Sequence, residues 1–288
     1  LEGLDYPHRF HAPVNTGVPS GHDLDGDGRQ AGPDDAFGWG RFPGQYGMAL
    51  LSRLPVDRAA ARSFRLFRWA ALPGADRPAT ADGPHHDDAV WDALRLSSKS
   101  HWDVPVALPD GGRLHVLALH PTPPVFDGPE DLNGRRNADE IRLLIGLIDG
   151  AGWLEDDAGR RGGLPAEARF VVMGDLNADP HRGEARRAPL EALLAHPRVQ
   201  DPHPASAGAV AGPRAAAGPR ADEVTADFGT DPGPGRLRVD YVLPSAGLEV
   251  TGAGVFWPPP GDPLARLVGD GDAVVSSDHR LVWVDIRP

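Results

Sequence analysis

Hydrophobic and polar positions along the chain predict short β-strands separated by long polar connections, together with two helices. Strand-like runs rich in Val, Leu, Phe or Trp recur from residue 47 to the end of the chain. Over 137–148, and more briefly over 188–196, apolar residues follow the i, i+3, i+4 spacing of one buried helix face. The predicted strands are Gly47–Ser52, Ser63–Trp69, Ser100–Leu108, Arg113–His120, Arg169–Gly174, Leu237–Leu243 and Arg280–Ile286.

The order of these elements predicts the fold class. The turn residues 109–112 connect two of the strands, which predicts a hairpin over 100–120. Strands and helices in mixed order with hairpins favour an α/β (α+β) sandwich with mixed sheets over a simple βαβ series. A single domain over 1–288 accommodates all of them. Residues 201–235 are rich in Ala, Gly and Pro and weakly patterned, so we expect a long irregular loop there.

Composition narrows the classes of function. The chain has no cysteine, which excludes disulfide scaffolds, thiolate metal sites and cysteine nucleophiles. Its formal net charge of −12 opposes sequence-independent affinity for nucleic acid, so phosphate chemistry here needs metal ions or local cations. Lys99 is the single lysine of the sequence, which leaves arginine as the main cation. No run of about 18 apolar residues is present, and we predict no membrane span.

The most informative local motif follows the predicted strand 169–174. Asp175 and Asn177 lie on the same side of an extended chain, because side chains alternate with period 2. A carboxylate beside a carboxamide can orient a water or a phosphate oxygen near a hard metal ion. The same residues also form an ordinary strand-end turn with an Asx cap. Both interpretations stay open for this motif taken alone.

Three further motifs place polar residues beside predicted strands. His120 ends one strand, and Asp240 interrupts another that is otherwise apolar. A buried Asp is costly without a hydrogen-bond partner, so Asp240 is expected to have one, such as a histidine. Asp278 and His279 precede the last strand and combine a possible metal ligand with an imidazole that titrates near neutral pH. Taken alone, each motif fits a structural role at least as well as a functional one.

Taken in chain order, these motifs resemble the endonuclease/exonuclease/phosphatase superfamily of DNase I-like, metal-dependent phosphoesterases. The string GQYGMALLSRLP at 44–55 is similar to a strand that precedes the middle of the family's fold. The resemblance implies a four-layer sandwich, in which two mixed β-sheets pack face to face and are flanked by helices. The residues that carry it, apart from this string, are His120, Asp175, Asn177, Asp240, Asp278 and His279.

The resemblance also implies catalytic roles. His279 is expected to be the general base that activates the attacking water, with Asp240 holding its imidazole in the correct tautomer. His120 is expected to bind or protonate the phosphate on the leaving-group side. Asp175 and Asn177 are expected to position the nucleophile and a phosphate oxygen.

A divalent cation and a phosphoester substrate follow from the same resemblance. Asp278 is expected to help to hold the cation, which would be Mg²⁺, with Mn²⁺ as an alternative. The acidic chain favours a small-molecule or lipid phosphoester over tightly bound duplex DNA, while nuclease activity stays open. Candidate phosphate-binding residues are Lys99 and His101 at the start of a strand and Arg136 at the start of a helix. The oligomeric state is left unassigned.

The beginning of the chain departs from the family pattern. The family opens with a strand that ends in Asn and a second strand that carries the principal metal-binding Glu. The residues ahead of 45 contain no apolar strand with either ending. We therefore expect the domain to be N-terminally incomplete, with a further N-terminal fragment that carries the missing strands. Without them, metal affinity and activity are expected to be reduced.

A separate acidic, glycine-rich segment over 15–40 resembles a calcium loop. Asp23, Asp25, Asp27 and Asp34 occupy positions 1, 3, 5 and 12 of an EF-hand-like spacing, although no helices are predicted on either side. A structural Ca²⁺ ion is one interpretation, and a solvated acidic loop is the other. The loop and the absence of cysteine favour an extracellular setting. The competing class of function is therefore a non-catalytic, calcium-stabilised binding module that retains the fold.

Overall fold

A five-stranded mixed sheet organises the computed structural model, which describes residues 5–212, 214–229, 233–269 and 275–287. Short 3₁₀ turns at Trp69–Ala71, Ala221–Glu223 and Ala265–Leu267 accompany the regular elements. The helices are α1 (Asp88–Ala93), α2 (Leu132–Ile148) and α3 (Arg187–Leu194). The strands are β1 (His8–Phe10), β2 (Leu50–Ser52), β3 (Arg62–Ser63), β4 (Ala79–Thr80), β5 (Gly83–Pro84), β6 (His101–Ala107), β7 (Arg113–Leu119), β8 (Arg169–Asp175), β9 (Ala226–Asp227), β10 (Arg236–Leu237), β11 (Asp240–Pro244), β12 (Glu249–Val255) and β13 (Val282–Arg287).

The main sheet has the strand order β11-β8-β7-β6-β3. Its central pair, β7 and β8, is parallel, while every other neighbouring pair is antiparallel. In the β11–β8 pair, Asp240 lies directly opposite Asp175. Within the described residues, four two-stranded sheets accompany it: β1–β2, β4–β5, β9–β10 and β12–β13. This arrangement confirms the predicted α/β class with several sheets and few helices.

The two faces of the main sheet bury separate apolar clusters. Along β8, Phe170 and Val172 point to the face that α2 and α3 cover, and Val171 points to the opposite face. The helix-covered face is closed by the apolar stripe of α2, which includes the fully buried Ile141. On the other face, β1 and β2 contribute side chains such as Phe10 to a smaller cluster. No helix in the described part of the chain is long and apolar enough to cross a bilayer.

Several local predictions match the structure, and others differ for identifiable reasons. The hairpin over 100–120 is the pair β6–β7, closed by the Leu108 amide that donates to the Gly112 carbonyl. The strand expected over 63–69 is reduced to β3, because Trp69 turns into the core and its indole donates to Asp139 (2.7 Å). Strand β12 was not predicted, since two glycines and a threonine interrupt its pattern. The segment 201–235 includes β9 and a 3₁₀ turn within its described part.

Candidate active site

Three strand ends bring the predicted catalytic residues to one edge of the main sheet. Asp175 ends β8 and His120 follows β7, so the parallel pair places them side by side. Asp240 begins the antiparallel strand β11 and faces Asp175 across the sheet. His279 precedes β13 and joins them through a bridge between Ala226 and His279. One ligand atom from each of Asp175, Asp240 and His279 lies within 4.8 Å of the others.

Gly174 allows this close approach of β8 to β7. A Cβ atom at this position would lie 1.9 Å from the Leu119 carbonyl oxygen, which no side chain can accommodate. The glycine ahead of Asp175 is therefore a packing requirement of the site, because any side chain would push the two strand ends apart.

We expect Gly174→Ala to lower the free energy of unfolding by about 1–3 kcal/mol, since the strands must separate to admit the methyl group. Urea denaturation of the purified protein measures this loss. Gly247→Ala is the matched control, because its Cβ would meet no atom within 4 Å. Equal stabilities of the two variants would contradict the packing argument.

The imidazole of His279 is held by Asp240. Its Nδ1 atom lies 2.9 Å from Asp240 Oδ2 and 3.1 Å from Oδ1, and its Nε2 atom lies 4.0 Å from Asp175 Oδ2. Phe228 packs edge-on against the ring, with 5.3 Å between centroids. Burial opposes the charged imidazolium, but the hydrogen bond and charge of Asp240, with Asp175 nearby, raise the pKa of His279 to about 9. The Nδ1–H bond to Asp240 leaves Nε2 facing Asp175.

Thr225 fixes the position of Asp240. Its buried hydroxyl donates to Asp240 Oδ2 (2.7 Å) and accepts the amide hydrogens of Val239 and Asp240 (3.0 Å each). These contacts orient the carboxylate towards His279. No sequence signal identified Thr225, because it lies in the weakly patterned segment 201–235.

Asp175 and Asn177 form a strand-end turn that also faces the site. The Asn177 amide donates to Asp175 Oδ1 (2.8 Å), and Asn177 adopts a left-handed φ of 51°, which Asn tolerates well. The Asn177 side chain donates to the Pro121 carbonyl oxygen (3.0 Å). The Asx-turn interpretation therefore holds, and it leaves Asp175 Oδ2 facing the histidines. Burial and the charge of Asp240 raise the pKa of Asp175, while His279 opposes this shift.

His120 lies on the other side of Asp175. Its Nε2 atom is 3.4 Å from Asp175 Oδ2, so this oxygen lies between the Nε2 atoms of two histidines. Burial, followed by the positive charges of Lys99 and His279, lowers the pKa of His120 well below its ordinary value. His120 is thus neutral at physiological pH and offers a polar nitrogen without a charge.

Two buried charged side chains, Lys99 and Glu140, lie next to this site. Lys99 is 4% exposed and its Nζ lies 3.4 Å from the Pro121 carbonyl oxygen. Glu140 on α2 accepts the amide hydrogens of Ser98 (2.8 Å) and Thr122 (2.6 Å) and so connects the segments that carry Lys99 and His120. Burial lowers the pKa of Lys99 to about 8, although Glu140 and Asp175 favour its charged form. Glu140 was missed in the sequence because a single Glu in a helix carries no distinguishing pattern.

Two predicted phosphate-binding residues do not face the site. His101 is buried, and its two ring nitrogens bond to Ser97 Oγ (2.7 Å) and the Glu140 carbonyl oxygen (2.8 Å). Arg136 donates to the Leu96 and Arg95 carbonyl oxygens (2.8 and 2.9 Å) and to that of Phe37. Both expectations are corrected, since these side chains hold neighbouring segments together. Lys99 alone of the three candidates lies next to Asp175 and His120.

Asp278 is exposed and does not belong to the group formed by Asp175, Asp240 and His279. Its charge nevertheless adds to those that raise the pKa of His279. Its role as a metal ligand stays a prediction.

The acidic loop over 15–40 forms a second group of carboxylates. Ligand atoms of Asp23, Asp25 and Asp27 lie within 4.8 Å of one another, and Asp23 accepts the amides of Gly26 and Gly28 (2.8 and 2.9 Å). Asp34 is not in this group, and the neighbouring Asp35 accepts the Leu24 amide instead (2.8 Å).

We propose that this loop binds Ca²⁺, as its spacing predicts. Calorimetric titration of the protein with Ca²⁺ is expected to show a binding heat that Asp25→Ala removes, because the three converging carboxylates offer the oxygen ligands that Ca²⁺ prefers. Asp82→Ala, at another exposed loop, is the control. A binding heat that Asp25→Ala leaves unchanged would contradict the assignment.

The geometry at the sheet edge suits a hard divalent cation. Asp175 and Asp240 supply carboxylate oxygens, which are the ligands that Mg²⁺ and Mn²⁺ prefer. Burial and, after it, the charge of Asp240 raise the pKa of Asp175, and a cation between the two carboxylates would offset both effects. Asp175 and Asp240 therefore form a pair of carboxylates that can bind a metal ion, and Asp240 also bonds to His279.

Comparison with known proteins identifies the family of the chain. The sequence matches the Endonuclease/Exonuclease/phosphatase family over residues 3–279, and the chain belongs to that family. No curated protein matches it significantly.

Similar solved structures include an endonuclease/exonuclease/phosphatase from Beutenbergia cavernae DSM 12333, with 19% identity and a TM-score of 0.51 over 98% of this chain and 54% of the other. The chain thus spans about half the length of that protein. Two others are the mannosyl-6-phosphatase Bt3783 from Bacteroides thetaiotaomicron VPI-5482 (13% identity, TM-score 0.47, 98% and 78% covered) and sphingomyelinase C from Streptomyces griseocarneus (18%, 0.41, 97% and 74%). The similarity to the first structure supports the fold.

Proposed function

We propose that the protein is a metal-dependent hydrolase of phosphoester bonds and that Asp175, Asp240 and His279 form its catalytic centre. The observation that carries this proposal is the His279–Asp240 pair, whose free imidazole nitrogen points to Asp175 at the edge of the main sheet. Membership of the family supports the reaction class. The proposal covers small-molecule, lipid and nucleic-acid phosphoesters.

The His279–Asp240 pair is arranged for general base catalysis. Nδ1 is engaged by Asp240, so the neutral imidazole carries its lone pair on Nε2, which can take a proton from the attacking water. As the water oxygen bonds to phosphorus and the ester P–O bond breaks, that proton moves to Nε2. The leaving oxygen departs with the bonding electron pair, as an alkoxide or phenolate, and takes up a proton from the solvent. Asp240 then stabilises the imidazolium, and Thr225 keeps the carboxylate in place.

The remaining residues orient the phosphate. Asp175 Oδ2 lies 3.4 Å from His120 Nε2 and 4.0 Å from His279 Nε2. The water and a phosphate oxygen would bind next to these three atoms. Neutral His120 can donate a hydrogen bond to a phosphate oxygen without charge, and Asn177 holds the turn next to it. Lys99 adds positive charge next to His120 and Asp175.

The carboxylates of Asp175 and Asp240 would hold a divalent cation, with Asp278 as the predicted further ligand. When bound, Mg²⁺ or Mn²⁺ supplies electrostatic stabilisation of the negative charge on the phosphate.

Hydrolysis of bis(p-nitrophenyl) phosphate and p-nitrophenyl phosphate tests this function. With Mg²⁺ or Mn²⁺ present, the protein is expected to release p-nitrophenolate; EDTA should abolish the release, and excess Mg²⁺ should restore it. Comparing the two compounds separates a diesterase from a monoesterase. Hydrolysis that EDTA leaves unchanged would contradict the proposed metal dependence. No hydrolysis of either compound with any cation would favour the non-catalytic, calcium-stabilised module.

A further inference from the structure

The loop between β7 and α2 lies at the edge of the main sheet that carries the proposed catalytic centre. Strands β7 and β8 are parallel and α2 connects them, so α2 begins at the edge where both strands end and runs back to the other edge. His120 and Asp175 occupy the edge where the strands end. The loop over 120–131 therefore starts at the proposed catalytic centre and ends at the beginning of α2.

Hydrogen bonds hold this loop along the first turns of α2. The Asn137 side chain donates to the carbonyl oxygens of Thr122 (2.8 Å) and Leu176 (2.9 Å), which belong to the backbone just beyond the ends of β7 and β8. The Asn133 side chain donates to the Val125 carbonyl oxygen (2.8 Å). Positions 133 and 137 are one helical turn apart, about 6 Å on the same face of a helix. Val125 therefore lies about one helical turn from the backbone that follows the catalytic residues.

Phe126, the next residue of the loop, extends into solvent. Phe126 is 97% exposed, whereas Phe42, the next most exposed Phe, Tyr or Trp in the described part of the chain, is 58% exposed. An aromatic side chain stabilises a fold through the apolar area that it buries. Phe126 buries almost none, so packing within the protein does not explain its position.

The backbone fixes Phe126 in this exposed position. Its φ is 66°, in the left-handed region that bulky side chains rarely adopt. Both neighbours are tied to α2, because the Val125 carbonyl oxygen accepts from Asn133 and the Asp127 carboxylate accepts the amide hydrogens of Asn133 (2.9 Å) and Gly134 (3.0 Å). Two consecutive prolines restrict the backbone just ahead of this segment. Strained residues of this kind cluster at ligand-binding sites, and a rigid loop loses little conformational entropy when a ligand binds.

We propose that Phe126 determines substrate specificity by packing against an apolar organic group, above all an aromatic ring, that the substrate carries on its phosphate. This inference rests on the phosphate position in the proposed function, next to His120 and His279. A phosphate there leaves its organic group free to extend along the loop to Phe126. Contact between two aromatic rings contributes more than the buried area alone, so an aromatic group is favoured over a small alkyl group.

Isothermal titration calorimetry with phenylphosphonate and methylphosphonate, in the presence of Mn²⁺, tests this inference without requiring catalysis. The two compounds share the charged phosphonate and differ in the organic group. We expect phenylphosphonate to bind about three- to tenfold more tightly than methylphosphonate. Equal affinities would overturn the inference and leave the proposed function in place, while binding of neither compound would overturn both. A preference for phenylphosphonate in a protein that hydrolyses no phosphoester would keep Phe126 as a ligand contact and reject the proposed hydrolysis.

Variants locate the preference at Phe126. Phe126→Ala is expected to remove the preference while leaving the affinity for methylphosphonate unchanged, and Phe126→Tyr, which keeps the ring, is expected to retain it. Trp153→Ala is the control, because Trp153 is an aromatic residue, 38% exposed, that follows the opposite end of α2. A preference that survives in Phe126→Ala would overturn the inference. If that variant then also loses binding to phosphatidylcholine vesicles, the exposed ring contacts a lipid surface instead.

Discussion

Replacing His279 by alanine is expected to reduce the hydrolysis of bis(p-nitrophenyl) phosphate by about 10³-fold while the fold is retained. The variant removes the Nε2 atom that faces Asp175 and that accepts the proton of the attacking water. It also leaves Asp240 without its partner, but Thr225 still donates to that carboxylate. Steady-state kinetics with Mg²⁺ measures the loss of activity, and circular dichroism of the variant shows whether the fold is retained. His181→Ala, which lies outside the catalytic group, is the control. Activity within a few fold of the unmutated protein would exclude His279 as the base.

The titration of His279 gives an independent check of its environment. NMR of the metal-free protein is expected to show one imidazole with a pKa of about 9, because the hydrogen bond and charge of Asp240 outweigh burial. Added Mg²⁺ should lower this pKa, since a cation next to Asp175 and Asp240 opposes the imidazolium charge.

The raised pKa also fixes the sign of a stability effect. A pKa above the ordinary value means that the folded state binds the proton more tightly, so the stabilisation is fully present below about pH 6.5 and is lost as pH rises through about 9. In the metal-free protein, His279→Ala should therefore cost more unfolding free energy at about pH 6 than at about pH 10. The opposite order would contradict the ion pair with Asp240.

Replacing Asp175 by asparagine is the second change with a large expected effect, a loss of about 10²- to 10⁴-fold in kcat/KM. The amide oxygen can still accept the Asn177 amide hydrogen, so the turn is preserved, while the negative charge beside Asp240 disappears. With one carboxylate less, the Mg²⁺ concentration for half-maximal rate should rise. Both quantities come from rates measured across a Mg²⁺ titration.

Asp285→Asn is the matched control for this change. Asp285 is an exposed carboxylate on β13 outside the catalytic group, so its replacement removes the same charge at a distance from the site. If Asp175→Asn and Asp285→Asn lower kcat/KM equally, Asp175 acts only through the net charge of the protein. That result would contradict its assignment to the catalytic centre.

The sequence predicts those features that depend on local pattern. The β6–β7 hairpin follows from two apolar runs and one turn, and α2 follows from a long apolar stripe that ends at Ile148. Asp175 and Asp240 could each be recognised as polar residues next to apolar strands. That they face one another depends on the β8–β11 register, which no local pattern contains.

Other parts of the site depend on contacts between distant segments. Glu140 acts through two backbone amides that precede it by 42 and 18 residues, and Thr225 reaches Asp240 across 15 residues. His101 and Arg136 look like exposed cations in sequence. In the structure, His101 is buried and bonds to Ser97 Oγ and one backbone carbonyl oxygen, and half-buried Arg136 donates to three backbone carbonyl oxygens. Spacing along the chain does not report this burial, so sequence alone assigned them to phosphate.

The measurement that tests the catalytic centre most directly is a crystal structure of the protein with Mn²⁺ and inorganic phosphate, in which anomalous scattering locates the metal. The proposed function predicts an Mn²⁺ peak about 2.2 Å from carboxylate oxygens of Asp175 and Asp240, with phosphate within hydrogen-bond distance of His120 and His279. Mn²⁺ found only at the Asp23–Asp27 loop, or phosphate bound away from both histidines, would contradict it.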